Sequence, residues 1–379
     1  MSLSSPIAPE TPEALAAALA DAASKRQSIL LGGRFTKNRM AGPVPQADVT
    51  ITTSALTRVL SYEPRDLTIS VEAGMRYSDL RKILAGNNQM VPLDPPFAEN
   101  ATVGGILGSN SSGPRRRLYG TARDLVIGLR FATLEGKIVQ SGGMVVKNVA
   151  GLDMGKLMIG SFGTLAALAV VNFKVMPAPV VERQFLLTFE SIGDAAKARN
   201  ALLNGVLQVS AIDLLNPAAA RFAGVNGFVL AVTAGGNEKV IERYERDLRE
   251  LGPLSIAPEE FGETVREFTP HFLVRNAGGA VVRISCTLAQ VPEVVGRFDA
   301  PVIARAGSGV CYAYFSQASK AEEAARGPWK AIIEFSPEAQ KESLELWPGP
   351  GPDFELMRRI KQMLDPHNLL NRGRLYRRI

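Results

Sequence analysis

Thirteen of the 35 glycines in this 379-residue chain fall between Gly104 and Gly163, where average usage of about 7% would place roughly four. A chain concentrates glycine where its backbone must come close to something, because only a residue without Cβ allows the approach and enters φ > 0 freely. The window offers this in three clusters: Thr102-Val103-Gly104-Gly105, then Gly108-Ser109-Asn110-Ser111-Ser112-Gly113, then Gly160-Ser161-Phe162-Gly163-Thr164. Any one of them would serve as a turn or a strand crossing. Three together, interleaved with short hydroxyl and amide side chains that reach phosphate or ribose without bulk, favour a ligand carrying a pyrophosphate.

Two familiar phosphate cradles fail on inspection. A P-loop requires GxxxxGK followed by Ser or Thr, whereas Gly151-Leu152-Asp153-Met154-Gly155-Lys156-Leu157 has a three-residue gap and a leucine where magnesium needs a hydroxyl. The dinucleotide fingerprint GxGxxG, between a strand and a helix, is not present in the window, so NAD binding by that route is not expected.

Composition narrows the chemistry further. The 43 basic and 37 acidic groups leave a net charge of +6, which fits a solvated basic surface better than a nucleic-acid interface. Cys286 and Cys311 lack CxxC spacing, and His271 and His367 are the only histidines, so a disulfide framework, a zinc ribbon or an iron-sulfur cluster held by this chain alone is excluded, and no metal site is expected. Both cysteines read as reduced packing residues of a cytoplasmic protein. The longest apolar stretch, Leu165 to Val171, falls far short of the ~20 residues of a bilayer-spanning helix, and MSLSSPIAPETPEA lacks the pattern of a secretory signal.

Along the chain, Thr11 reads as an N-cap with Pro12 at the first helical position of a helix to Ser24. Short strands are expected at Ser28–Leu31, Val49–Thr53 and Leu67–Ala73, followed by a helix over Tyr77–Ala85. LVIGLRFATLEGKIVQSGG reads as two strands joined at Glu135-Gly136, before a helix at Asp153–Ile159 and the apolar run to Val175. Pro177 and Pro179 mark a boundary, beyond which strands and helices alternate in an α+β layer pattern. Pro348, Pro350 and Pro352 mark a second, and the helix Phe354–Leu364 beyond them is too short to stand alone. The expected division is therefore 1–178, an α+β domain over 179–345, and a tail from 346 to 379 that packs back on the first.

The order of these motifs resembles the vanillyl-alcohol-oxidase type, or PCMH-type, FAD-binding proteins over about Leu30–Val175 and Leu364–Arg374. SGPRR, KNVAG followed by GSFGTL, and LDPHNLLNRGR are most similar to the FAD-binding subunits of bacterial glycolate oxidases. The resemblance implies an α+β protein, a two-lobed FAD-binding domain with an α+β cap over the flavin. It assigns the first pyrophosphate loop to Gly32 and Gly33. Thr102, Val103, Gly104 and Gly105 would approach the pyrophosphate or flavin, with Ser109, Asn110 and Gly113 continuing that wall and Pro95 entering it. Tyr119, Gly120 and Asp124 match a YGxxxD element, while Val149, Gly151 and Leu168 match positions whose main chain touches flavin or adenine. The first loop departs from the family pattern, because Arg34 and Phe35 stand between Gly33 and Thr36. Arg34 either pairs with phosphate or crowds it.

The same resemblance implies an oxidoreductase subunit, relaying electrons or structural, with non-covalent FAD. Its partners would be a second flavoprotein that carries the substrate site and an iron-sulfur subunit, at the inner face of the membrane only through such partners. Oxidising a 2-hydroxy acid needs a base for the hydroxyl proton and a cation for the carboxylate. Two isolated histidines cannot reproduce a histidine-rich centre. His271 with Arg275 is the remaining candidate pair for a stand-alone dehydrogenase, and a flavin-free scaffold is the third reading.

Overall fold

The computed structural model describes residues 5–44, 46–144 and 153–379. The chain divides into two compact units, one of Met1–Ser112, Thr121–Pro177 and Gly349–Ile379, the other of Gly113–Gly120 and Ala178–Pro348. The short segment Gly113–Gly120, inside the expected first domain, groups with the second unit.

The first unit opens with the helix Pro12–Ser24, where the Thr11 side chain accepts from the Ala14 N–H at 3.0 Å. Such a cap contributes about 1 kcal/mol. Leu15 and Leu19 recur on one face and are fully buried, beside the parallel strand pair Ile29–Gly32 and Val49–Thr52. A second core lies on a five-stranded antiparallel sheet in the order Val59–Glu63, Thr68–Glu72, Ala167–Lys174, Val126–Ala132, Ile138–Gly142. The central strand Ala167–Lys174 is buried along almost its whole length, which explains why it reads as an uninterrupted apolar run rather than an alternating one.

The second unit is built on one eight-stranded antiparallel sheet, in the order Leu254–Ile256, Val181–Phe189, Phe228–Gly236, Ala211–Leu215, Val302–Arg305, Val310–Phe315, Ala280–Ser285, Lys330–Phe335. One face carries the apolar core, covered by the helices Ile192–Asn204, Glu238–Arg249, Val291–Arg297 and Ala318–Ala325. The other bears buried polar groups: Arg305 pairs with Asp213 at 2.8 Å, and Arg283 with Glu334 at 2.9 Å. Tyr312 stands among them, its hydroxyl pushed up to about 12 by burial. The fold is α+β, as the alternation of elements implied.

Candidate functional site

The first unit contains a cavity of about 860 Å3, counting its open mouth, walled by three stretches that the sequence places far apart. The first wall follows the strand Ile29–Gly32. The neighbouring strand fixes its end, since Thr53 N–H donates to the Gly32 carbonyl at 2.9 Å and the Thr52 hydroxyl to the Gly33 carbonyl at 2.5 Å. The chain then turns through Phe35 at φ 55, with its ring folded back on Gly32. Gly33, Arg34, Phe35 and Thr36 all line the cavity, and among the described residues none of their four backbone N–H groups has a protein acceptor.

The second wall is the helix Val103–Gly108, capped by Thr102, whose hydroxyl accepts from the Gly105 N–H at 3.1 Å. Its glycines act by absence of bulk. A Cβ on Gly33 would lie 2.1 Å from the Thr102 hydroxyl oxygen, and one on Gly104 would lie 3.0 Å from both the Cβ and the carbonyl oxygen of Ala73. Neither Gly104 nor Gly105 has positive φ. The N–H of Gly104 is taken by the Ala73 carbonyl at 2.7 Å and that of Gly105 by Thr102, so these two residues supply bare surface rather than donors.

The third wall joins the turn Ser161–Gly163 to the C-terminal tail. Asn371 holds it: its side-chain amide donates to the Leu31 carbonyl at 2.9 Å and to the Phe162 carbonyl at 2.7 Å, and its oxygen accepts from the Leu31 N–H at 2.7 Å. Gly163, at φ +68, passes this amide so closely that a Cβ there would lie 2.8 Å from the nitrogen. Arg374 binds the loop after the first wall through the carbonyls of Asn38 and Gly42, at 3.2 and 2.8 Å. The tail is anchored by Lys361, whose ammonium is 2.6 Å from Asp365 and donates to the carbonyls of Thr164 and Leu370. Burial pulls the Lys361 amine below its ordinary range, against the attraction of Asp365.

Among the described residues the lining carries three cations, Arg34, Lys37 and Arg374, and no carboxylate. A row of four consecutive N–H groups beside three cations is a donor set for a polyanion, each such bond to a charged acceptor contributing about 1.5–3 kcal/mol. The pyrophosphate of FAD fits these residues.

Of the expected site residues, Gly32, Gly33, Arg34, Thr36, Thr102, Gly104, Gly105, Ser109 and Leu168 line this cavity. Pro95, Val103, Asn110 and Asp124 lie in the same unit outside its lining. Val103 is buried, its N–H bonded to the Met75 carbonyl, and Asp124 closes a capping box with Thr121. Gly113, Tyr119 and Gly120 belong to the second unit. Val149 and Gly151 lie outside the described residues. Phe35, Lys37, Asn371 and Arg374 also line the cavity: Phe35 reads in sequence only as an interruption of the first loop, and Arg374, which reads as part of a solvated basic tail, is buried.

The candidate catalytic pair is on the helix Phe268–Arg275 of the second unit. His271 is exposed, and the exposed Arg275 lays its guanidinium 4.4 Å from the centre of the Phe222 ring. His367, in the tail, is also exposed and outside the cavity lining.

Residues 6–142 match the family model of the FAD binding domain, and residues 349–375 match that of the C-terminal domain of FAD linked oxidases. The glycolate oxidase subunit GlcE of Escherichia coli K12 is 34% identical over 168 residues, covering 44% of this chain and 47% of that protein. The glycolate oxidase subunit GlcD of Bacillus subtilis is 28% identical over 55% of this chain and 45% of that protein, so the chain spans less than half the length of either. A D-2-hydroxyglutarate dehydrogenase of Xanthomonas citri is 23% identical over 87% of this chain and 80% of its own. Among solved structures, 4-ethylphenol oxidase from Gulosibacter chungangensis shares the fold with a TM-score of 0.74 at 14% identity, covering 97% of this chain and 88% of that one. The two matched segments contain the first wall, the second wall and the tail of the cavity.

Proposed function

We propose that this chain is the FAD-holding subunit of a glycolate-oxidase-type complex, relaying electrons or structural, whose partners are a second flavoprotein with the substrate site and an iron-sulfur subunit. The observation that carries the reading is the polyanion cradle itself, the four consecutive N–H groups of Gly33–Thr36 beside Arg34, Lys37 and Arg374. The similarity to GlcE supports the choice of complex. FAD bound here supplies an acceptor for two electrons that can be passed on singly. The protein's part is to hold its pyrophosphate on the Gly33–Thr36 N–H groups, to neutralise it with Arg34, Lys37 and Arg374, and to keep the tail closed through Asn371.

The test is spectroscopic and kinetic. The purified full chain shows a flavin spectrum, and trichloroacetic acid releases the colour into the supernatant, because residues 1–180 contain neither histidine nor cysteine for a covalent link. Mixed anaerobically with glycolate, D-lactate or D-2-hydroxyglutarate, the flavin band stays unbleached, while dithionite bleaches it. Fast bleaching by any of these acids, lost in His271→Ala or Arg275→Ala, establishes instead a stand-alone 2-hydroxy-acid dehydrogenase, the reading that the extent of the Xanthomonas match supports. A colourless protein that does not take up FAD is a scaffold.

A further inference from the structure

The chain's two cysteines, 25 residues apart in sequence, meet in the second unit. Cys286 follows the strand Ala280–Ser285, and Cys311 lies on Val310–Phe315, with Ser285 opposite Val310 and Ile284 opposite Cys311. The Cys286 N–H donates to the Gly309 carbonyl at 2.9 Å, which extends the ladder one step and brings the two sulfurs to 4.0 Å. Gly309 allows this approach: it sits at φ +67, and a Cβ there would fall 2.1 Å from the Cys286 carbonyl oxygen. Cys311 is fully buried, whereas Cys286 is partly open to solvent.

A third group faces the pair. Arg199, on the helix Ile192–Asn204, is 2% exposed. Its Nε and Nη2 donate to the Asn200 side-chain oxygen at 3.2 and 2.6 Å, and Nη2 also reaches the Leu288 carbonyl at 2.7 Å. Its Nη1 is buried with no acceptor among the described residues. A guanidinium taken out of water without a carboxylate costs several kcal/mol unless another anion answers it. Both sulfurs lie within its electrostatic reach. The hydrogen bond from Cys311 pulls the Cys286 thiol below its ordinary range, with Arg199 adding to it against burial and Glu293. The same hydrogen bond and burial push Cys311 up. A thiolate on Cys286 would lie within the electrostatic reach of this guanidinium.

We propose that Cys286 and Cys311 form a reactive dithiol, Cys286 attacking and Cys311 resolving, which small-molecule disulfides convert to an intramolecular disulfide. The Cys286 thiolate attacks one sulfur of R–S–S–R, forms a mixed disulfide and expels a thiolate. The deprotonated Cys311 sulfur then attacks the Cys286 sulfur, closes the Cys286–Cys311 bond and expels the second thiolate. Two electrons pass from the cysteine sulfurs to the small disulfide, and the two protons given up end on the two released thiols. Closure brings the sulfurs from 4.0 Å to about 2.05 Å. Cys286 lies beyond its strand, ahead of the turn Leu288–Gln290, so the movement is taken up there and not in the sheet.

The experiment exposes the full chain to oxidised glutathione, quenches with N-ethylmaleimide and reads intact mass and peptide map. The native protein is expected to lose both thiols and retain no glutathione, while Cys311→Ser accumulates one glutathione on Cys286, and Cys286→Ser reacts slowly or not at all. Arg199→Met slows the reaction of Cys286 about threefold for each unit its pKa rises, since a tenfold smaller thiolate fraction is partly offset by higher nucleophilicity. Arg199→Lys restores most of the rate. Two free thiols in the native protein after long exposure, or Cys311 reacting as fast in Cys286→Ser, overturns the proposal. Should Arg199→Met not fold, the native protein and the two cysteine variants decide it.

Discussion

Gly33→Ala tests the close contact between the first two walls of the cavity. The added methyl would lie 2.1 Å from the Oγ1 of Thr102, 2.8 Å from its Cγ2 and 3.0 Å from its Cβ, so moving one flexible end does not relieve it. The Thr102 side chain must swing away and surrender its cap on the Gly105 N–H, a loss of about 1 kcal/mol. Forcing a methyl into a packed site costs a further ~1–3 kcal/mol. The expected total is about 2–4 kcal/mol, together with a loss of FAD affinity, because both residues line the cavity. Thr102→Ala alone costs about 1 kcal/mol. In the double variant the cap is already gone and two of the three clashing atoms are removed, so its cost falls short of the sum by about 1–2 kcal/mol. The assay is urea unfolding of the apoprotein, compared at unchanged slope, with FAD titrations of each variant alongside. Strict additivity of the two substitutions would refute the contact, as would full FAD affinity in Gly33→Ala.

Gly108 ends the capped helix, lines the cavity and has nothing within 4 Å of where a Cβ would stand; Gly108→Ala should raise or preserve the melting temperature, helix propensity favouring it by up to about 1 kcal/mol, while weakening FAD binding in a fluorescence titration. Asn371→Ala strands three backbone groups, each costing about 1–3 kcal/mol when buried unsatisfied, so it should lower stability and FAD retention far more than His367→Ala in the same tail. Glu334 is held above its ordinary range by burial, against the pull of Arg283. Its native form therefore favours the proton, and stability should fall as pH rises from the unfolded value near ~4.3 through the raised native one. Glu334→Gln should flatten that slope, leaving a melting-temperature advantage over the native protein that widens with pH; a gap constant across the range would count against it.

The parts of this fold that the sequence announces are those whose ends carry their own chemistry. The helices Tyr77–Ala85 and Phe354–Leu364 have the bounds that periodicity and flanking residues indicate, and Pro12–Ser24 begins where Thr11 and Pro12 say it should. The helix Phe268–Arg275 escapes because Pro270 sits in its first turn, where proline is tolerated but reads as a break, and because aromatic contacts with Tyr314 and Phe222 hold it rather than propensity. The strand Ala211–Leu215 escapes because it is buried on both faces and includes Asp213, which pairs with the distant Arg305. The cavity follows the same logic. Glycine density locates the second and third walls but not what their glycines do: at Gly104 and Gly105 the N–H groups are spent inside the protein, and the open donors belong to Gly33–Thr36, Arg34 among them. Lining a cavity is a matter of three-dimensional closure, and here closure depends on one asparagine more than 300 residues from the strand it holds, through bonds at 2.7 and 2.9 Å that no local pattern encodes. The tail becomes readable as part of the site only when its Lys361–Asp365 anchor and its Asn371 clamp are seen together, one fixing where the segment ends and the other what it touches.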